Sequence, residues 1–384
     1  MRTQSNKTVL LADKFQRVTD KNNVGNTNVL TISAQHGLIN QFEYYNHQYA
    51  SENTSGYTLL HKGDFAYNKS YSDGYPWGAT KRLERYDSGV VSPLYICFAA
   101  KDGVCADFYS YYFESEPFYR EIYKIAQEGA RNHGLLNVAT EDFFKIQIAN
   151  PPLVEQRRIA DILGCCDRVI ALKKELIAEK KKQKKALMQK LLNPDSGFSS
   201  EISKVRFNRI CRFINGRAYS QGELLESGKY RVLRVGNLFT SEEWYYSDLE
   251  LSVDKYCQKG DLLYAWSASF GPFIWQEEKT IYHYHIWKVE PFLNIDKMFL
   301  YHCLRHDAEL LQNTIQGGTM SHITKETMER RLCPFIDNLI QQKNIADILS
   351  AADKEIDLLE QELAQQEQKK KSLMQLLLTG IVRV

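Results

Sequence analysis

Residues 153–192 read LVEQRRIADILGCCDRVIALKKELIAEKKKQKKALMQKLL, and residues 339–378 read LIQQKNIADILSAADKEIDLLEQELAQQEQKKKSLMQLLL. The two stretches align without a gap at an offset of 186, with about 18 of 40 positions identical. A repeat of this kind sets the architecture before any local reading does. Apolar residues recur at steps of four and three: Ile159, Leu163, Cys166, Ile170, Ile177, Leu187 and Leu191 in the first copy. The second copy supplies Ile345, Leu349, Ala352, Ile356, Leu359, Leu363, Leu373 and Leu377. A period near 3.5 predicts two long helices that pair along a coiled-coil seam. Lys173, Lys180 and Lys184 interrupt the first seam, and Gln366 and Lys370 the second. Such polar positions fix register or mark where a partner enters. Two copies of one unit pack most economically about a pseudo-two-fold axis, which makes the helices antiparallel. Each would be about 60 Å long at 1.5 Å per residue.

The segments ahead of the helices correspond more loosely. LLHKGDFAYNKSYSDGYPWG (59–78) echoes YCQKGDLLYAWSASFGPFIW (256–275), VLTISAQHGLI (29–39) sits where YRVLRVGNLFT (230–240) does, and LLNVATEDF (135–143) resembles MSHITKETM (320–328). Short β-branched and aromatic runs punctuated by Gly and Asp predict twisted strands, with helices near 107–127 and 296–312. The expected fold is α+β: a sheet-and-helix globule at 1–150, a long helix at 151–193, a second globule at 194–335, and a second long helix with its tail at 336–384.

The 384 residues, 43% of them hydrophobic, suffice for two or three cores. No apolar run is long enough to span a bilayer and the N-terminus has no apolar signal core, so a cytoplasmic location is expected. Cysteines 97, 105, 165, 166, 211, 257, 303 and 333 show no regular spacing and read as reduced, mostly buried thiols. His283 and His285 would share one face of a strand but lack a third ligand at a telling distance, so no metal is expected. The net charge of +2 divides unevenly: the excess of basic over acidic residues is −1 for 1–150, +6 for 151–192, −1 for 193–335 and −2 for 336–384.

Asn150-Pro151-Pro152 raises the question of adenine methylation. That chemistry needs an aromatic residue next, and Leu153 stands there; the second copy has Ile336, Asp337 and Asn338 instead. No glycine-rich turn for S-adenosylmethionine and no phosphate loop occurs. Pro194-Asp195 with Glu201 and Lys204 lacks a nuclease spacing and reads as a turn. The prolines suit a first helical turn, where a missing N–H costs nothing.

The layout as a whole resembles the specificity subunit of type I restriction-modification systems. PPLVEQRRIADIL (151–163), the LMQKLL and LMQLLLTG helix ends, the terminal GIVRV, and FINGRAYSQGELLESGKYRVLRVGNLF (213–239) carry the resemblance from end to end. It implies a non-catalytic subunit in which each globule reads half of a bipartite double-stranded DNA site and the helical pair sets the gap. It also implies two methyltransferase partner subunits and admits a translocase-nuclease (restriction) subunit. No cofactor is expected in this chain; S-adenosylmethionine belongs to the partner methyltransferase, and ATP with Mg to the translocase. Because the globules differ, the site should be asymmetric. A coiled-coil scaffold whose globules bind proteins is the alternative from another class.

Near-neutral globules do not grip phosphates indiscriminately, so local patches matter. In the first, Asn68, Lys69, Ser70, Tyr71, Lys81 and Arg82 combine base-reading groups with cations, and Arg131, Asn132 and His133 form a second candidate loop. In the second, the candidates are Arg234, Asn237, Trp266, Ser267, Thr319, Ser321 and His322. The run Lys180-Lys181-Lys182-Lys184-Lys185 admits three readings: a solvated coiled-coil face, a docking surface for the methyltransferase, or phosphate contact between half-sites.

Overall fold

The computed structural model describes residues 8–33, 36–46, 53–70, 75–128, 136–193, 202–267, 269–315 and 323–384. The chain divides into two compact units, Met1–Lys174 with Glu362–Val384, and Glu175–Gln361. The division cuts both long helices, Leu153–Leu192 and Leu339–Leu378. Each unit is therefore a globule plus half of each helix.

In the first unit, strand Thr8–Leu10 pairs antiparallel with Gln147–Ala149, the last strand before the long helix. The central sheet runs in the order Phe15–Arg17, Ile96–Ala100, Phe65–Asn68, Ala79–Arg82. Helices Ala106–Tyr112 and Glu116–Ile125 cover it. The single helix expected over this stretch is broken because Pro117 sits in the first turn of a new one, a position where proline is tolerated. Phe15, Phe65, Phe98 and Phe113 meet edge-on, tilted or stacked at 5.3 to 5.7 Å, an arrangement that suits aromatic quadrupoles.

The second unit repeats the plan. Ser203–Arg206 pairs with Leu332–Phe335, and the sheet order is Cys211–Asn215, Ile286–Pro291, Leu262–Ser267, Ser269–Ile274. Lys297–Ile315 is its main helix. The shared Lys-Gly-Asp is one turn used twice: Gly63 and Gly260 take φ of +100° and +90°, and Asp64 and Asp261 accept from the N–H of His61 and Gln258 at 2.7 and 2.9 Å. The looser echo between 29–39 and 230–240 does not extend past its first strand. Leu30–Ser33 turns back at Gly37, at φ +70°, into Gly37–Asn40. Tyr230–Leu233 instead leads into a short helix, Val235–Phe239, begun by Asn237 accepting from the Arg234 N–H.

The long helices are bound into the globular cores at both ends. Ile159 and Leu163, from the start of the first, share a core with Leu377 and Leu378, from the end of the second. Ile345 and Leu349, from the start of the second, share one with Met188, Leu191 and Leu192. Of the other seam positions, Ile177 and Ile356 are buried and Ile170, Leu187, Leu363 and Leu373 half-buried. Ion pairs run between the helices in descending register, hence antiparallel: Asp167–Lys370 at 2.5 Å, Lys173–Glu362 at 2.6 Å and Lys174–Glu367 at 2.8 Å in the first unit. In the second, Lys184 pairs with Asp353, Lys181 with Glu360 and Lys180 with Glu355, the last two at 2.6 Å. Of the lysine run, Lys180, Lys181 and Lys184 are thus matched by carboxylates of the other helix, a pairing that the coiled-coil-face reading admits, while Lys182 pairs with Glu179 of its own helix. The run read as one-sided because its partners belong to the other copy of the repeat, far along the chain.

Asn150-Pro151-Pro152 is a helix start. Gln156 Nε2 donates to the Pro151 carbonyl at 2.9 Å and to Asn150 Oδ1 at 3.3 Å, occupying the two acceptors that amine chemistry would need. Gln342, its counterpart in the repeat, also ties down the approach to its helix, donating to the Ile336 carbonyl at 2.8 Å, one position earlier in the repeat. Asn338 Oδ1 there accepts from the Ile340 and Gln341 N–H groups, an N-cap in the place of Pro152.

The Lys184 side chain is 6% exposed and Asp353 also accepts from Arg305 at 3.0 Å. Removing one partner of a buried pair leaves an uncompensated charge. Asp353→Ala should therefore lower unfolding free energy in urea by about 2–4 kcal/mol, and adding Lys184→Met to it should recover part of the loss.

Candidate nucleic-acid interface

The two stretches singled out in each globule come together at their flanks. Lys69, at the end of Phe65–Asn68, accepts through its carbonyl from the Leu136 N–H at 2.8 Å. Trp266, in the corresponding strand, accepts from the Ile323 N–H at 3.1 Å. Lys69 and Trp266 stand at the same distance beyond their Lys-Gly-Asp turns, but their donors do not correspond, because Val138 and not Leu136 aligns with Ile323. Tyr71, Arg131, Asn132, His133, Thr319, Ser321 and His322 lie outside the described residues.

In the first globule, Asn68 Oδ1 accepts from the Ser70 N–H at 3.1 Å, a local turn that leaves Asn68, Lys69 and Ser70 half-exposed. Lys81 and Arg82 are differently placed. Lys81 pairs with Glu114 at 2.6 Å, and Arg82 with Asp107 at 2.6 Å and Glu84 at 2.7 Å, with side chains 11% and 17% exposed. Their charge is matched inside the globule, and they brace the sheet against the helix at 106–112. Spacing alone does not show carboxylates that the fold brings in from a later element.

The second globule holds a cavity of about 360 Å³ lined by Arg234, Asn237, Ser241, Tyr245, His283 and His285 among others. Asn237 is a positioning residue: its Oδ1 caps the short helix and its Nδ2 donates to the Glu243 carbonyl at 2.7 Å. That leaves the exposed Arg234 guanidinium lying 5.2 Å from the Tyr245 ring centroid, at the cavity edge. A planar fork held on an aromatic face is suited to bidentate contact with a guanine edge or a phosphate. Trp266 is held rather than free: it stacks on Trp287 at 5.6 Å, donates through Nε1 to the Tyr284 carbonyl at 2.8 Å, and meets His285 edge-on at 5.0 Å. Ser267, next to it, is half-buried at the strand end.

Burial first, then the neighbouring His285 and Arg234, lower the His283 imidazole to about 4. At neutral pH it is uncharged, so Arg234 supplies the cation here. Among the described residues no group of three or more His, Cys, Asp or Glu side chains is placed to hold a metal ion. The sequence reading missed Tyr245 and the role of the two histidines; an aromatic-rich EEWYYS beside VLRVGNL was the available signal.

The family model for the type I restriction modification DNA specificity domain matches residues 11–181 and again 200–368. The chain belongs to that family and carries its domain twice. It is similar to the type I restriction enzyme MjaVIII specificity subunit of Methanocaldococcus jannaschii, 26% identical over 328 residues, covering 77% of this chain and 75% of the relative. A putative MjaX specificity subunit of the same organism is 26% identical over 281 residues, covering 69% and 65%. The fold matches the crystal structure of the S subunit from M. genitalium (TM-score 0.59, 14% identity, 98% of both chains). It also matches a chain from a structure of complex assembly and conformational transition in the type I R-M system (TM-score 0.61, 17% identity, 97% and 96%). The domain of this family is one of DNA specificity and not of catalysis. Among the described residues no helix is long and apolar enough to cross a membrane.

His302 is fully buried between its helix and the second long helix, where its Nε2 shares a hydrogen bond with Ser350 at 2.9 Å. Burial lowers it to about 4, outweighing the favourable Asp353 charge. Its folded-state value lies below that of the unfolded chain, so the unfolded chain takes up the proton first as pH falls. Stability should be full above pH 6.5 and decline toward pH 4, by up to about 3 kcal/mol from this group. Urea unfolding across that range should show the slope, and His302→Gln should make it shallower, leaving the part that His283 contributes.

Proposed function

We propose that the chain reads an asymmetric, two-part DNA site, one half per globule, and seats the subunits that act on that DNA. The recognition globules are 1–150 and 194–335, and the helices 151–193 and 336–384 set the gap between the halves. The observation that carries this reading is one scaffold used twice, with the same Lys-Gly-Asp turn and the same sheet order, beneath otherwise unlike surroundings. One scaffold presents two different sets of reading groups. The near-neutral globules favour sequence reading over unselective phosphate binding. Modules about a helical turn apart, roughly 34 Å, meet the same face of a duplex.

Partner docking has its own support. Val154 and Ile340, exposed at 64% and 72%, occupy equivalent positions at the helix starts, and Leu172 and Leu358 are equivalent and exposed at 65% and 50%. Exposed apolar groups duplicated at the repeat offset fit two copies of one partner. That partner is an adenine methyltransferase bringing S-adenosylmethionine, with a translocase-nuclease using ATP and Mg able to join. The chain itself then needs neither cofactor, and calorimetry should detect no S-adenosylmethionine binding to it alone.

Methylated DNA sequenced after reconstitution with the methyltransferase should show an asymmetric split motif. Replacing the first globule should change one half only. Arg234→Ala should relax the other half, by about 1–3 kcal/mol of discrimination at one base pair. A symmetric motif, or methylation indifferent to the first globule, contradicts the reading and favours a protein-binding scaffold.

A further inference from the structure

The ion pairs between the long helices fall into two sets that behave oppositely under the repeat. The first is Asp167 with Lys370 and Asp353 with Lys184. The two aspartates are counterparts at the repeat offset, and so are the two lysines. A first-copy helix set against another first-copy helix in the same register would still bring Asp167 to Lys184. This set fixes register without choosing a partner.

The second set is Lys174–Glu367 at 2.8 Å and Lys181–Glu360 at 2.6 Å. Here the counterparts differ in sign: the offset places Lys174 where Glu360 stands, and Lys181 where Glu367 stands. Two first-copy helices would bring Lys174 against Lys181. Two second-copy helices would bring Glu360 against Glu367. Lys173 and Lys180, now facing Glu362 and Glu355, would instead meet Leu176 and Val169. Any single exposed pair contributes little, but repulsion at the Lys174 and Lys181 pairs and lost attraction at Lys173 and Lys180 all work in one direction.

We propose that these lysine–glutamate pairs are a code for partner choice, admitting a first-copy helix only to a second-copy helix, whether from the same chain or from another molecule. The proposal rests on helix chemistry and is independent of what the globules bind. Charged positions flanking a coiled-coil seam are where such a choice is made.

The full chain provides the test. Lys181→Glu combined with Glu367→Lys leaves the net charge unchanged but sets lysine against lysine at 174 and 367, and glutamate against glutamate at 181 and 360. The same change makes like-with-like helix pairing attractive. The fourfold variant K174E/K181E/E360K/E367K reverses every sign and restores opposite charges in the native pairing. The twofold variant should melt about 3 °C or more below the parent at low salt, with the gap narrowing in high salt, and native mass spectrometry at high protein concentration should show a doubled mass. The fourfold variant should melt with the parent and keep its mass. Equal melting of the twofold variant and parent, or equal loss in both variants, would overturn the code; a loss without doubled mass would overturn partner choice.

Discussion

One aspartate, used twice, ties the structure together. Asp167 accepts from the Tyr111 hydroxyl at 2.7 Å and faces Lys370 at 2.5 Å. Asp353 accepts from Arg305 at 3.0 Å and faces Lys184. In each unit the carboxylate thus joins a globule helix, its own long helix and the opposite long helix. A half-buried carboxylate with two donors is costly to leave unpaired, so the crossing of three elements has one register. Asp167 and Asp353 stand at the same place in the repeat, which gives both units the same joint.

The joint explains why the helices retain a resemblance that the globules have lost. A helix residue here must satisfy a globule core at one end, the opposite helix along its length and another core at the far end. Arg383 adds to this in the first unit, bonding Glu155 at 2.8 Å. Globule loops carry no such double duty. The first globule turns at Gly37 into a hairpin, while the second builds a cavity beneath Arg234 from the equivalent segment, with the same sheet order beneath both.

Much of the architecture was legible in the chain. The gapless repeat and its 3.5-residue period give both helices, and the Lys-Gly-Asp turn aligns the two sheets. What stayed hidden depended on pairing across long separations. Lys81 and Arg82 look like free cations beside aromatic residues, and only the fold brings Glu114 and Asp107 to them. The lysine run looked unmatched because its carboxylates sit on the other helix. Asn237 looked like a reading group, but a short helix needed its amide as a cap. Asn150-Pro151-Pro152 was decided by its neighbours in sequence, Leu153 and the second copy, and Gln156 then accounts for why the asparagine is there.

The proposed function requires that the two long helices set the gap between the half-sites of the DNA motif. Inserting one heptad at the middle of each long helix, between 174 and 175 and between 361 and 362, adds about 10 Å of helix at 1.5 Å per residue. The methylation motif of the reconstituted complex should then keep both half-site sequences and lengthen its gap by about three base pairs, at roughly 3.4 Å each. An active complex with an unchanged gap, or with altered half-site sequences, would contradict the account.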